Sequence, residues 1–124
     1  MFPPAVTIHC ISDARLAVGV GRPVALLSGA GAAGYAGCGW WRAIVAGVAA
    51  EGVIDILDCG EMSGRAVEAL GLGLRRLVLR PEAPGWADVA GRASLLGAVL
   101  LPVRPASLDL ARPGAARHLH RWLA

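Results

Sequence analysis

The chain has 124 residues, with 12 arginines as its basic residues, 9 acidic residues and a net charge of +3 at neutral pH. We expect this length to form one domain, residues 1–124, because a complete eight-stranded (β/α) barrel needs about 250 residues. The small net charge, with no aromatic residues between the arginines of the C-terminal tail at 112, 117 and 121, argues against nucleic-acid binding.

Apolar runs that alternate with helical patterns extend along the whole chain. The sequence predicts strands over residues 6–11, 23–27, 53–57, 75–79 and 98–103. It predicts helices over residues 14–20, 40–50, 62–70, 84–96 and 113–123. Pro102 indicates a sheet-edge position or an early end for the last strand. The pattern indicates a single α/β domain of about five parallel strands alternating with helices, as an open half-barrel or a flavodoxin-like doubly wound sheet.

Functional groups of parallel sheets gather where the strands end, next to helix N-termini. We therefore expect one rim to collect the residues that follow the predicted strands. This rim comprises His9, Cys10, Ser12, Asp13, Ser28, the glycine loop, Asp58, Cys59, Glu61, Arg80 and Arg104.

The loop after the second predicted strand has the pattern G-x-G-x-x-G, from Gly29 to Gly34. Such a loop can hold a nucleotide, or it can hold a phosphate through its backbone N–H groups alone. A plain glycine-rich bend is the structural alternative. The candidate ligand-binding residues of this loop are Ser28, Gly29, Gly31 and Gly34.

The third predicted strand ends in Leu57-Asp58-Cys59-Gly60-Glu61. A carboxylate at the end of a buried strand can act as an acid or base, so Asp58 is the candidate catalytic residue and, with Glu61, a candidate ligand-binding residue. Cys59 and His9 are candidate metal ligands, although no spacing matches a dedicated zinc motif. The structural alternatives are a capping aspartate and a buried thiol.

Residues 7–80 resemble the N-terminal part of the class II zinc-dependent fructose-bisphosphate aldolases. The likeness rests on a strand ending in Ser28, a Gly/Ala-rich segment with Tyr35-Ala36-Gly37, and a strand ending in Leu57-Asp58-Cys59-Gly60. The resemblance implies a (β/α) half-barrel, with Asp58 as acid/base and Cys59 where the family has a zinc-binding histidine. The family's other ligands belong to later strands, so the resemblance implies a repurposed half-barrel and not a competent aldolase.

We expect a bacterial, cytoplasmic protein that binds a small ligand, phosphorylated or not, or a protein partner at this rim. A metal-dependent lyase using Asp58, with zinc as the candidate cofactor, and a nucleotide-binding protein using the Gly29–Gly34 loop are the alternatives. The trio Trp40, Trp41 and Trp86 favours a homo-oligomer, because large aromatic side chains anchor interfaces as well as cores. Five glycines within residues 23–41 argue against a membrane span.

Overall fold

The computed structural model of the protein describes residues 2–124 and forms one six-stranded sheet, all parallel, in the order β5-β4-β3-β2-β1-β6. The strands are β1 Ala5–Ile8, β2 Val24–Ser28, β3 Val53–Asp58, β4 Arg76–Val78, β5 Val99–Leu101 and β6 Ser107–Asp109. The helices are α1 Ile11–Gly19, α2 Ala32–Tyr35, α3 Cys38–Gly47, α4 Ser63–Gly71, α5 Trp86–Leu95 and α6 Leu119–Trp122, with a 3₁₀ helix at Ala115–His118. The predicted parallel α/β fold with an open sheet is confirmed.

The two faces of the sheet carry two separate apolar clusters. Val6, Leu26 and Leu57 belong to the cluster that contains the buried residues of α1, α3, α4 and α5. The other cluster comprises Ala5, Ala25, Leu27, Ile56 and Val78, with Phe2, Ile54 and Leu101 packed against it. Crossovers between parallel strands are right-handed, so connections that step in one direction from β1 to β5 bring their helices to one face. Among residues 2–124, the second cluster contains no residue of a helix.

Residues 102–106, here called the return segment, connect β5 to β6 at the opposite edge of the sheet. In a flat sheet, six strands would separate the two edge strands by about 24 Å. The return segment can span only about 21 Å even when fully extended. The sheet must therefore curve, and the return segment comes close to the strand ends that it passes.

The structure differs from the predicted elements in four places. β1 ends at Ile8 and α1 begins at Ile11, because the Asp13 carboxylate accepts the His9 N–H at 2.9 Å and closes the first turn. The glycine loop contains the short helix α2, which was predicted as loop. β6 was also predicted as loop, because three residues without an apolar period give no strand signal, and its pairing with β1 is a long-range contact.

The last predicted helix, over residues 113–123, is divided into the 3₁₀ helix and α6. Within residues 2–124, no helix has the length and apolar character needed to cross a membrane.

Candidate functional site

The ends of β2 and β3 are joined by a buried network around Asp58. Ser28 Oγ accepts the Asp58 N–H at 2.9 Å, and the same hydroxyl donates to the Gly29 carbonyl at 3.0 Å. Asp58 Oδ1 accepts the Gly60 N–H at 2.7 Å. Ser28 and Asp58 are buried, with exposed fractions of 0% and 3%. The two strand ends are thus neighbours, and the Asp58 carboxylate is held rigidly.

Arg104, from the return segment, completes this network. Its Nη1 donates to Asp58 Oδ2 at 2.8 Å and to the Ser28 carbonyl at 2.9 Å, and its Nη2 donates to Thr7 Oγ1 at 3.1 Å. One guanidinium therefore binds residues of β1, β2 and β3. Both oxygens of Asp58 have hydrogen-bond partners, and the carboxylate holds the Arg104 guanidinium in place. The acid/base role of Asp58 stays a prediction.

A cleft of about 550 Å³ opens beside this network, at the carboxyl ends of β2, β3 and β4. It is lined by Ala30, Gly31, Asp58, Gly60, Val78, Arg80, Pro102, Val103 and Arg104. Its two loops turn at glycines with positive φ, Gly31 at 67° and Gly60 at 59°, a conformation that other residues rarely adopt. Within the described residues, no hydrogen bond uses the backbone N–H groups of Ala30 and Gly31.

The other candidate ligand-binding residues have different surroundings. Ser28 lies beneath the cleft as a partner of Asp58. A side chain at Gly34 would collide with the sulfur and methyl group of Met62, so this glycine makes room for packing. Glu61 is exposed, with Oε1 3.9 Å from Arg80 Nε, a loose ion pair. Of the predicted ligand-binding residues, Gly31 and Asp58 therefore line the cleft.

The candidate metal ligands His9 and Cys59 have separate partners. The Cys59 thiol is fully buried in the cluster that contains Val6, Leu26 and Leu57, and burial, with smaller contributions from Cys38 and Asp58, raises its pKa to about 12. His9 binds Asp109. Among residues 2–124, no three His, Cys, Asp or Glu side chains are grouped so that they could hold a metal ion. The zinc site stays a prediction.

His9 and Asp109 form a hydrogen-bonded pair where β1 and β6 end. His9 Nε2 lies 2.7 Å from Asp109 Oδ1, and the same oxygen accepts the Ala111 N–H at 2.9 Å. Partial burial works to raise the pKa of Asp109, but the Ala111 N–H, His9 and the Arg112 charge together outweigh it. The pKa of this carboxyl therefore lies below its usual value.

Gly29 allows a close approach beside this pair. A methyl group on Gly29 would lie 3.2 Å from His9 Nδ1 and 2.5 Å from the Tyr35 hydroxyl oxygen, closer than side-chain carbons normally come. Only glycine therefore lets the imidazole and the phenol converge above the same Cα atom.

Sequence reasoning did not assign a role to three residues of this region. Arg80 and Arg104 were expected at the rim, but arginine is the only basic residue of the chain, so its presence carries little information. The two prolines of the return segment, Pro102 and Pro105, are the signal that could have marked Arg104 as rigidly held. Asp109 gave no signal, because its strand was not predicted.

Comparison of the chain with protein-family models, with curated proteins and with solved structures gives no match. The resemblance to class II aldolases therefore stays a prediction, as do the homo-oligomer and the cytoplasmic, bacterial origin.

Proposed function

We propose that the protein binds a small phosphorylated ligand in the cleft at the carboxyl ends of β2, β3 and β4. The observation that carries this proposal is the pair Arg80 and Arg104, which line one cleft together with two glycine turns. Ligands of open parallel α/β sheets bind at this end of the strands. The volume of about 550 Å³ lies within the usual range for small-molecule sites.

Arg104 supports the proposal because its position is fixed before any ligand arrives. Three acceptors, on Thr7, Ser28 and Asp58, hold its guanidinium. A guanidinium has five N–H donors, and these three partners leave donors available for an anion. Preorganised donors lose little entropy on binding, so a held arginine recognises phosphate better than a mobile one.

Arg80 supplies a second positive charge that can move toward the ligand. Its Nε lies 3.9 Å from carboxylate oxygens of both Glu61 and Glu82, and all three side chains are more than half exposed. Such exposed and distant pairs contribute little energy, so a phosphate can replace them.

The backbone adds neutral donors. Ala30 and Gly31, whose N–H groups make no hydrogen bond within residues 2–124, line the same cleft as the two arginines. Consecutive N–H groups in a glycine turn form an anion-binding concavity without a lysine. Residues of three separate segments, the Ala30–Gly31 turn, Arg80 and Arg104, thus line the same cleft.

The test is calorimetric titration with inorganic phosphate, at constant ionic strength, of the wild-type protein and of the Arg80→Ala variant. We expect saturable binding by the wild type, and about tenfold weaker binding by the variant, since a charge-assisted hydrogen bond is lost. Arg92→Ala is the matched control, because Arg92 lies on α5 and pairs with Asp88 outside the cleft. Equal affinities of the two variants, or no saturable binding by the wild type, would contradict the proposal.

A further inference from the structure

His9, paired with Asp109, lies against Gly29, the residue that precedes the cleft-lining Ala30 and Gly31. We propose that His9 accepts a phosphoryl group on Nδ1 from the phosphorylated ligand of the cleft. This inference rests on the proposed function, and it adds a reaction to what would otherwise be a binding site.

The choice of nitrogen follows from the hydrogen bonds. Nε2 faces the Asp109 carboxylate at 2.7 Å, and an ionised carboxylate only accepts hydrogen bonds. Nε2 therefore carries the proton of the neutral ring, and the lone pair is on Nδ1. Asp109 is itself fixed by the Ala111 N–H, so the tautomer and the orientation of the ring are set together.

The location of Nδ1 fits a phosphoryl donor held in the cleft. Nδ1 stands over Gly29, and the next two residues, Ala30 and Gly31, line the cleft. The carbonyl of Ser28, just before Gly29, binds Arg104. The imidazole thus lies against the residue that separates the Arg104-bound carbonyl of Ser28 from Ala30 and Gly31. The Tyr35 hydroxyl, at the same glycine, can donate to a phosphoryl oxygen.

The transfer step balances without a metal or a redox partner. With acetyl phosphate as donor, the Nδ1 lone pair attacks phosphorus, a P–N bond forms, and the P–O bond to acetate breaks. Acetate leaves with that electron pair, and the ring, still protonated on Nε2, gains a positive charge. Asp109 is positioned to stabilise this charge, as the orienting carboxylate does in other histidine-based sites. Water then attacks phosphorus, the P–N bond breaks, and dihydrogen phosphate leaves the neutral histidine.

The test is incubation of the full chain with acetyl phosphate, followed by intact-mass measurement and phosphorus NMR. We expect one acid-labile phosphoryl group, on Nδ1 of His9. The His9→Asn variant should acquire none, and His120→Asn, which changes an exposed histidine of the C-terminal helix, should react like the wild type. Absence of labelling, labelling of His9 on Nε2, or equal labelling of His120 would overturn the inference.

Asp109→Asn separates positioning from mere structural support. We expect this variant to bind inorganic phosphate as the wild type does but to accept the phosphoryl group on both ring nitrogens, because the amide no longer fixes the tautomer. Labelling confined to Nδ1 in this variant would contradict the role of Asp109. A reduced melting temperature alone would not change the nitrogen that reacts.

The two proposals fail in different ways. Saturable phosphate binding without labelling overturns the phosphoryl transfer and leaves the binding proposal intact. Labelling of His9 that neither Arg80→Ala nor excess inorganic phosphate reduces overturns the cleft as the place where the donor binds.

Discussion

Asp58 and Arg104 are the residues on which the site depends most. The carboxylate side chain is 4% exposed and the arginine side chain 30% exposed, so the pair is shielded from water on one side only. Removing one partner of a fully buried pair costs about 3–5 kcal/mol, and exposed pairs contribute less than about 1 kcal/mol. We expect the loss of unfolding free energy on removing one partner of the Asp58–Arg104 pair to lie between these two values.

We predict that Asp58→Asn lowers the free energy of unfolding by about 2–3 kcal/mol, because Arg104 loses its counter-charge in a partly buried position. Asp88→Asn is the control: it breaks an exposed pair on α5 and should cost less than about 0.5 kcal/mol. Urea denaturation of both variants measures the difference. Equal losses in the two variants would mean that the Asp58–Arg104 pair contributes little to stability.

The three cysteines should differ sharply in reactivity. Cys10 is exposed, whereas burial, with a hydrogen bond and the charge of Glu68, raises the pKa of Cys38 to about 11, and burial raises that of Cys59 to about 12. Because the thiolate is the reactive form, we predict that a disulfide reagent at about pH 8 labels only Cys10 in the folded protein. Cys10→Ser should abolish this labelling. Fast labelling of Cys59 would contradict its burial.

Short elements of this fold depend on single side chains at their ends, and β6 is the clearest case. β6 has three residues. Two side-chain contacts connect it to β1: the Thr7 and Ser107 hydroxyls lie 2.7 Å apart, and Asp109 pairs with His9. The pKa of Asp109 is lowered in the folded protein. The stability that the ionised Asp109 side chain contributes is therefore fully present above the ordinary pKa of aspartate, about 3.9. This contribution is lost as the pH falls through the pKa of Asp109 in the folded protein.

We predict that the difference in unfolding free energy between the wild type and Asp109→Asn is largest near neutral pH and shrinks toward about pH 2. Denaturant titrations between about pH 6 and pH 2 measure it. A difference that stays constant or grows in acid would show that the charge of Asp109 does not stabilise β6.

Helix α5 offers a test of the backbone. Nothing lies within 4 Å of a Cβ added at Gly91, in the middle of the helix, so Gly91→Ala should stabilise the protein by about 0.5–1 kcal/mol. Gly97, just after the helix, has a φ of 68°, and Gly97→Ala should destabilise by about 1 kcal/mol. Thermal unfolding of both variants gives the two signs, and a destabilising Gly91→Ala or a stabilising Gly97→Ala would contradict the assigned end of α5.

The sequence predicted those strands whose apolar residues are also buried in the sheet. The apolar runs of β2 and β3 are buried in the sheet, so their composition identifies them, and their observed limits lie within one residue of the prediction. β6 could not be predicted, because Ser-Leu-Asp becomes a strand only through pairing with residues about a hundred positions away. The start of α1 was predicted at residue 14 and lies at Ile11, because the Asp13 carboxylate accepts the His9 N–H.

At the scale of the whole molecule, the site results from the path of the return segment. The sequence places Ser28 and Asp58 at one rim, because both end neighbouring parallel strands. It does not indicate that Arg104 would occupy the space between them, since this contact depends on the curvature of the sheet and on the strand order. The cleft and its arginines are therefore a tertiary property, and the His9–Asp109 pair is another.

The central claim is that one cleft, at the ends of β2, β3 and β4, binds phosphate. The most direct measurement is a two-dimensional amide NMR titration of the wild-type protein with inorganic phosphate. We predict that the largest saturable shifts occur at the amides of Ala30, Gly31 and Arg80, with Gly91 unaffected. Shifts that centre instead on the basic C-terminal residues Arg117 and Arg121, or that fail to saturate, would contradict the account.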